Sequence, residues 1–160
     1  MGFSMIDRII RLESGERIEA VKTLSLCEDY LADHFPAFPV MPGVLMLEAM
    51  VQAAAWLLRL SGCDKGSLYI VREVRSIRYG SFVKPGDQLR VSVKLVDAQG
   101  DCFTFRGKGS VGGRNAVVGK FVLKQKPPGA IHTDLERMGE KLKLFYEERA
   151  RSLMEYDRTL

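Results

Sequence analysis

The sequence contains three cysteines and only two histidines. Cys27, Cys63 and Cys102 are odd in number and far apart, without a CxxC or a Cys/His ligand spacing. That excludes a disulfide framework and leaves no basis for a metal site or a redox pair. Reduced thiols in a cytoplasmic compartment are the expectation. An unbroken apolar run is also lacking: the longest, from Val40 to Leu58, is interrupted by Glu48 and Gln52 and is expected not to form a membrane span. The first residues carry Asp7, Arg8 and Arg11, which leaves no apolar segment of the signal-peptide kind, so a soluble protein is expected. Neither sign of charge dominates. The balance of 24 Lys and Arg against 20 Asp and Glu is +4, far from the dense basic footprint of a nucleic-acid binder. An acidic protein or an anionic ligand suits such a surface.

What is present is ordinary for a globular domain: 46% hydrophobic and 28% charged residues, a composition that excludes a disordered chain or a collagen-like fibre. Two zones differ in character. Residues 1–126 mix strand-like segments with one apolar helix and hold 18 basic and 13 acidic residues. Residues 127–160 open with the breaker Pro127-Pro128-Gly129 and then read as an amphipathic helical extension. In that tail Leu135, Met138, Leu142 and Phe145 form the apolar stripe, with Tyr156 returning to it, and Thr133 with Glu136 makes a capping box. His132, beside polar residues there, has no assigned role.

Ile10 and Leu12 alternate with charged residues before a Ser14-Gly15 turn, and Arg17 to Leu26 completes a hairpin. Five further strands are expected at Ser67 to Val74, Ile77 to Val83, Gln88 to Val96, Cys102 to Ser110 and Ala116 to Lys124. Short links favour antiparallel pairing. The fold class is α+β, an antiparallel sheet that must cover one helix.

That helix is expected to start with Pro42 at its first position and to end at Gly62. At about 100° per residue, Glu48, Gln52 and Arg59 share one narrow stripe. Everything else between, Trp56 and the run Ala53-Ala54-Ala55 included, is apolar, as in a buried helix. Glu48 is therefore expected in a mostly dry setting that raises its affinity for a proton, as a general acid requires. The bland alternative is a structural glutamate, paired with a base or lying on the wet stripe. Met41 offers no side-chain oxygen to cap the helix, so the amides of Gly43 and Val44 are left to water, a neighbouring carbonyl or a substrate oxygen. His34 stands among Phe and Pro residues, with Pro36, Pro39 and Pro42 keeping the segment extended. It reads either as a general base or as a structural loop histidine.

Taken together, HFPAFPVMPGVLMLEAMVQAA from His34 to Ala54 resembles the signature of the FabZ and FabA 3-hydroxyacyl-(acyl-carrier-protein) dehydratases, which have the hot-dog fold. That pattern runs His-Phe-x-Gly, Pro-Val-x-Pro-Gly, then a helix with an acidic residue 14 positions after the His; His34 and Glu48 are 14 apart. Glu rather than Asp, followed by Ala49-Met50 and Gln52, is similar to the FabZ branch. The likeness extends to Asp7-Arg8 and to Val83-Lys84-Pro85-Gly86-Asp87, covering about residues 3–125. It implies that His34 removes the α-proton of a 3-hydroxyacyl thioester on acyl carrier protein and that Glu48 protonates the departing hydroxyl. It also implies that the Gly43 or Val44 amide polarises the thioester carbonyl, that the Val40 carbonyl orients the histidine ring, and that Gln52 belongs to the substrate site. No metal or organic cofactor is implied. The resemblance further implies a homodimer whose sites join His34 of one chain to Glu48 of the other, commonly assembled as a trimer of dimers.

Three departures from the pattern stand out. Ala37 replaces the Gly, which costs about 1 kcal/mol if the position needs a positive φ. Tyr79-Gly80-Ser81-Phe82 replaces an Arg-rich stretch, leaving Arg72, Arg75, Arg78 and Lys84 to meet the acidic carrier protein. The helical tail extends beyond the usual core. Two other readings compete: a hot-dog thioesterase, and a catalytically silent acyl-binding partner subunit.

Overall fold

Alternating apolar and charged residues build the first hairpin, β1 (Arg8–Glu13) against β2 (Arg17–Thr23), paired from Arg8↔Val21 to Glu13↔Arg17. In the computed structural model, which describes residues 3–63, 66–127 and 139–154, the chain then makes a short 3-10 turn at Asp29–Leu31 and enters α1 (Gly43–Leu60). After α1 come β3 (Leu68–Tyr79), β4 (Gln88–Gln99), β5 (Cys102–Val111) and β6 (Arg114–Lys126). The six strands form one sheet in the order β1-β2-β4-β5-β6-β3, and every neighbouring pair is antiparallel. Its central strands are joined by tight turns; Gly112 and Gly113, both at positive φ, make the two-residue link between β5 and β6.

The sheet wraps α1. Met46, Ala49, Met50, Ala53, Ala54 and Leu57 are all buried, and Phe105 stacks on Phe121 beneath them at 5.7 Å. The paired residues Gly107 and Gly119 leave a hollow for Met50: a Cβ on Gly107 would come within 2.6 Å of the methionine sulfur. By length and composition alone α1 is apolar enough to cross a membrane, a test that the core helix of a globular domain also passes. In this fold its apolar faces are spent on the sheet, as in the core helix of a globular domain.

Two strands expected at Ser67 to Val74 and Ile77 to Val83 are a single strand, β3, that ends at Tyr79. Bulges between Val71 and Glu73 and between Val74 and Ser76 put Arg72 and Arg75 at the extra positions, which breaks the alternation by which a strand is recognised. Beyond Tyr79 the chain is irregular: the Gly80 and Ser81 amides donate to Ala116 and Asn115 carbonyls, and the Val83 carbonyl accepts the Met41 amide. Pro42 is likewise shifted by one, serving as the N-cap residue with an extended ψ of 139° rather than as the first helical residue. Gly62, at φ 90°, does end α1, and the Cys63 amide closes back on the Leu58 carbonyl.

In the tail, α2 (Gly139–Met154) packs on the core through Ala150 and Leu153. Phe145, expected on the apolar stripe, is exposed; the packed face instead runs through Tyr146, Ala150 and Leu153. The capping box and His132, Leu135, Met138 and Tyr156 lie outside the described residues, as does the side chain of Leu142.

Candidate active site

The N-terminus of α1 carries no side-chain cap. The Leu45 and Met46 amides both donate to the Pro42 carbonyl, at 2.9 and 3.3 Å, and no acceptor for the Gly43 and Val44 amides is found among the described residues. These two N–H groups sit at the positive end of the helix dipole, where an oxygen carrying developing negative charge is stabilised. The ring of Tyr79, at the end of β3, lies so close to Gly43 that a Cβ there would meet Tyr79 Cε1 at 2.9 Å. Burial against the helix end raises the Tyr79 phenol above its ordinary value.

One and a half turns on, Glu48 is half-buried rather than in the mostly dry setting expected, because the face of α1 turned away from the sheet stays open in the single chain. It lines a cavity of about 440 Å³ together with Gln52, Trp56, Arg59 and Tyr69. Gln52 Nε2 donates to Glu48 Oε1 at 2.8 Å and to the Phe3 carbonyl at 3.1 Å, while its own Oε1 accepts the Met5 amide at 2.8 Å. The N-terminal segment thereby fixes the amide that holds the carboxylate.

His34 is half-buried, with its ring 4.4 Å from that of Phe35. It does not line the Glu48 cavity, and no hydrogen bond joins it to Glu48 or to the buried Val40 among the described residues. A single chain thus brings Glu48 and Gln52 together but not His34. The only non-glycine residue at positive φ among the described residues is Phe35 (54°), so Ala37 causes no strain of the kind its missing glycine raised. Arg72, Arg75, Arg78 and Lys84 are all exposed. Arg72 donates to Cys102 Sγ at 3.0 Å, and Arg75 pairs with Glu73 at 3.2 Å.

Two contributors escaped the sequence reading. Arg59, which shares the polar stripe of Glu48 by its spacing, is buried, and burial pulls its pKa down, although Tyr146 and Tyr69 counter this. Its guanidinium lies over the rings of Trp56, Tyr69 and Tyr146. Tyr79 has no motif around it; only the bulged course of β3 delivers it to Gly43.

A family model described as a FabA-like domain matches residues 1–120. Among curated proteins, the 3-hydroxyacyl-(acyl-carrier-protein) dehydratase FabZ of Geobacillus thermodenitrificans is 39% identical over 127 residues, covering 78% of this chain and 88% of that protein. The FabZ of Paracidovorax citrulli is 42% identical over 115 residues, covering 69% and 77%. Among solved structures, the dehydratase heterocomplex ApeI:P from Xenorhabdus doucetiae aligns with a TM-score of 0.62 at 20% identity, over 77% of this chain and 83% of that one. A hot-dog-like protein from Thermanaerovibrio acidaminovorans gives 0.62 at 14% identity, over 77% and 90%. These structural likenesses establish the hot-dog fold.

Proposed function

Because this chain belongs to the FabA-like family, and within it to the FabZ-type dehydratases, we propose that it removes water from 3-hydroxyacyl thioesters on acyl carrier protein in fatty acid biosynthesis. His34 takes the α-proton, the electron pair passes into an enolate whose oxygen rests on the Gly43 and Val44 amides, and Glu48 delivers a proton to the β-hydroxyl as it leaves. The products are a trans-2-enoyl thioester and water. The observation that carries this reading is the placement of Glu48 in a cavity, its carboxylate held by Gln52, on the helix whose first amides have no acceptor among the described residues. Deprotonation beside a thioester needs such an oxyanion site more than any other single aid.

The absence of His34 from that cavity supports a site shared between two chains. The edge strand β3 offers a surface for pairing: Ile70, Val71 and Val74 are each about two-fifths exposed, an apolar edge of the kind that pairs with another strand. The assembly we propose is a homodimer, with dimers gathered in threes, working in the cytoplasm. Val40 supplies the carbonyl that orients His34, and Arg72, Arg75, Arg78 and Lys84 face the acidic carrier protein.

Complementation between two inactive variants tests the shared site. His34→Ala and Glu48→Gln are each expected to abolish reversible hydration of an enoyl thioester. After subunit exchange, a mixed dimer holds one site with both residues intact, and a 1:1 mixture should recover about a quarter of the parent activity. No recovery despite demonstrated exchange would place both groups in one chain. Release of free thiol instead of hydration would make the protein a thioesterase.

A further inference from the structure

The cavity that holds Glu48 has a second, differently charged end. Glu48, Gln52, Trp56 and Arg59 line it along one face of α1. Eleven residues at 1.5 Å put Arg59 roughly 16 Å from Glu48 along the helix axis. There β3 adds Tyr69 and α2 adds Tyr146, while Phe145 and Arg149 of α2 also line the cavity. The tail thus walls this end of the cavity.

Arg59 is only 8% exposed. Its guanidinium carbon lies 3.9 Å from the centre of the Tyr146 ring, 5.0 Å from Tyr69 and 5.6 Å from Trp56. Nη2 reaches the Ser67 carbonyl at a long 3.4 Å, and buried Nε has no hydrogen-bond partner. No carboxylate pairs with it among the described residues. Aromatic faces offset part of the cost of burying a cation, but they leave the in-plane N–H fork unfilled. Arginine does not escape that cost by losing its proton. Arg149 donates to Ser4 Oγ at 3.1 Å, beside the Phe3 and Met5 backbone groups that hold Gln52, so this second cation lies nearer the Gln52 part of the cavity. Among the described residues, the charged groups lining the cavity are therefore Glu48 at the reacting end, Arg59 at the other and Arg149 on the α2 wall.

We propose that this far end receives a carboxylate, so that the preferred acyl chains carry an acid at the end remote from the thioester. The planar fork of Arg59 matches a carboxylate bidentately, and the surrounding rings exclude the water that would screen it. A simple alkyl end would leave the buried Nε unsatisfied, which is the basis on which such sites reject analogues lacking the polar group. The proposal rests on the dehydratase reading, with Glu48 at the reacting end.

Enoyl-pantetheine thioesters of equal length, ending in a methyl or a carboxylate, separate the two ideas. The full-length protein should hydrate the carboxylate-ended chain with at least a tenfold higher kcat/KM, the difference residing in KM. Arg59→Met should bring that ratio close to one, and Arg59→Lys should retain part of it. Arg59→Lys, which keeps a cation in the aromatic cluster, serves if Arg59→Met does not fold. Equal or better use of the methyl-ended chain by the parent protein would overturn the proposal while leaving the dehydratase reading standing. Hydration of neither thioester would overturn both.

Discussion

The side-chain amide of Gln52 donates to Glu48 Oε1 across 2.8 Å, one turn along α1, with its opposite end pinned by the Met5 amide. Because Oε1 of Gln52 already accepts from the backbone, the amide cannot flip without losing that bond, and its N–H face is held toward the carboxylate. Gln52 thus acts as a positioning residue for the proposed acid.

Replacing Gln52 separates support of the carboxylate from support of the fold. Gln52→Leu should lower kcat about tenfold, a typical share for a misplaced acid, and should also lower Tm because the Met5 amide loses its acceptor. Gln52→Glu keeps an acceptor for Met5 but turns an oxygen toward Glu48. Its Tm should lie nearer the parent value while its kcat stays as low as that of Gln52→Leu. Steady-state kinetics and thermal unfolding on the same preparations check this; parallel recovery of kcat and Tm in Gln52→Glu would reduce Gln52 to a structural link.

Glycines that admit close neighbours differ in what stands opposite them. A Cβ on Gly80 would lie 2.5 Å from the Asn115 carbonyl oxygen, where the Gly80 and Ser81 amides tie this segment to β6. A Cβ on Gly107 would meet the Met50 sulfur at 2.6 Å, the flexible end of a side chain. Gly80→Ala should therefore cost more than Gly107→Ala, on the order of 3 kcal/mol against about 1 kcal/mol, because overpacking against backbone cannot relax by a rotamer change. Urea unfolding of the two variants measures the order; the reverse order would show that the 80–83 segment is free to shift.

How much of this was legible in the residues depends on the range over which each feature is encoded. The central helix, the hairpin of β1 and β2 and the spacing of His34 and Glu48 are local patterns, and the sequence carries them openly. The single long β3 was hidden because two bulges, at Arg72 and Arg75, reset the alternation that identifies a strand. The burial of Arg59 is not legible from its place on the polar stripe because helical spacing gives a direction but not what covers it; the cover comes from Tyr69 in β3 and Tyr146 in α2, far away in sequence. Glu48 was expected to be drier than it is, since a helix apolar nearly all round implies burial on every side and a single sheet covers only one.

Lys22 should set an alkaline limit to stability. It is buried on β2 and pairs with Glu28 at 2.8 Å and Asp7 at 3.3 Å, tying β1 and β2 to the segment that leads to His34. Burial alone would lower its pKa, but hydrogen bonding to Glu28 and the nearby charges of Asp7 and Glu28 outweigh it, and the net shift is upward. A cation held more tightly in the folded state stabilises it fully below the ordinary lysine value. That contribution disappears as pH rises through the higher folded value. Tm measured from pH 8 to 12 should fall at the alkaline end in the parent, and the part of this fall due to Lys22 should be missing in Lys22→Met. Parallel curves for the two proteins would exclude Lys22 as the titrating group.

Gly43 and Tyr79 couple the start of α1 to the end of β3. A methyl group at residue 43 would press into the Tyr79 ring at 2.9 to 3.1 Å, and the ring, 48% exposed, has room to swing outward. Gly43→Ala should then destabilise by about 1–2 kcal/mol, the usual range for modest overpacking. Adding Tyr79→Ala removes the obstacle, so the double variant should regain most of that loss, with a coupling energy of at least about 1 kcal/mol between the two sites. Activity should behave differently from stability. The new methyl stands beside the two amides proposed to receive the thioester oxygen, and it remains there when the ring is gone. The double variant is expected to recover Tm but not kcat. A cycle with no coupling would mean that the ring yields without cost, and recovery of kcat together with Tm would move the oxyanion site away from these amides.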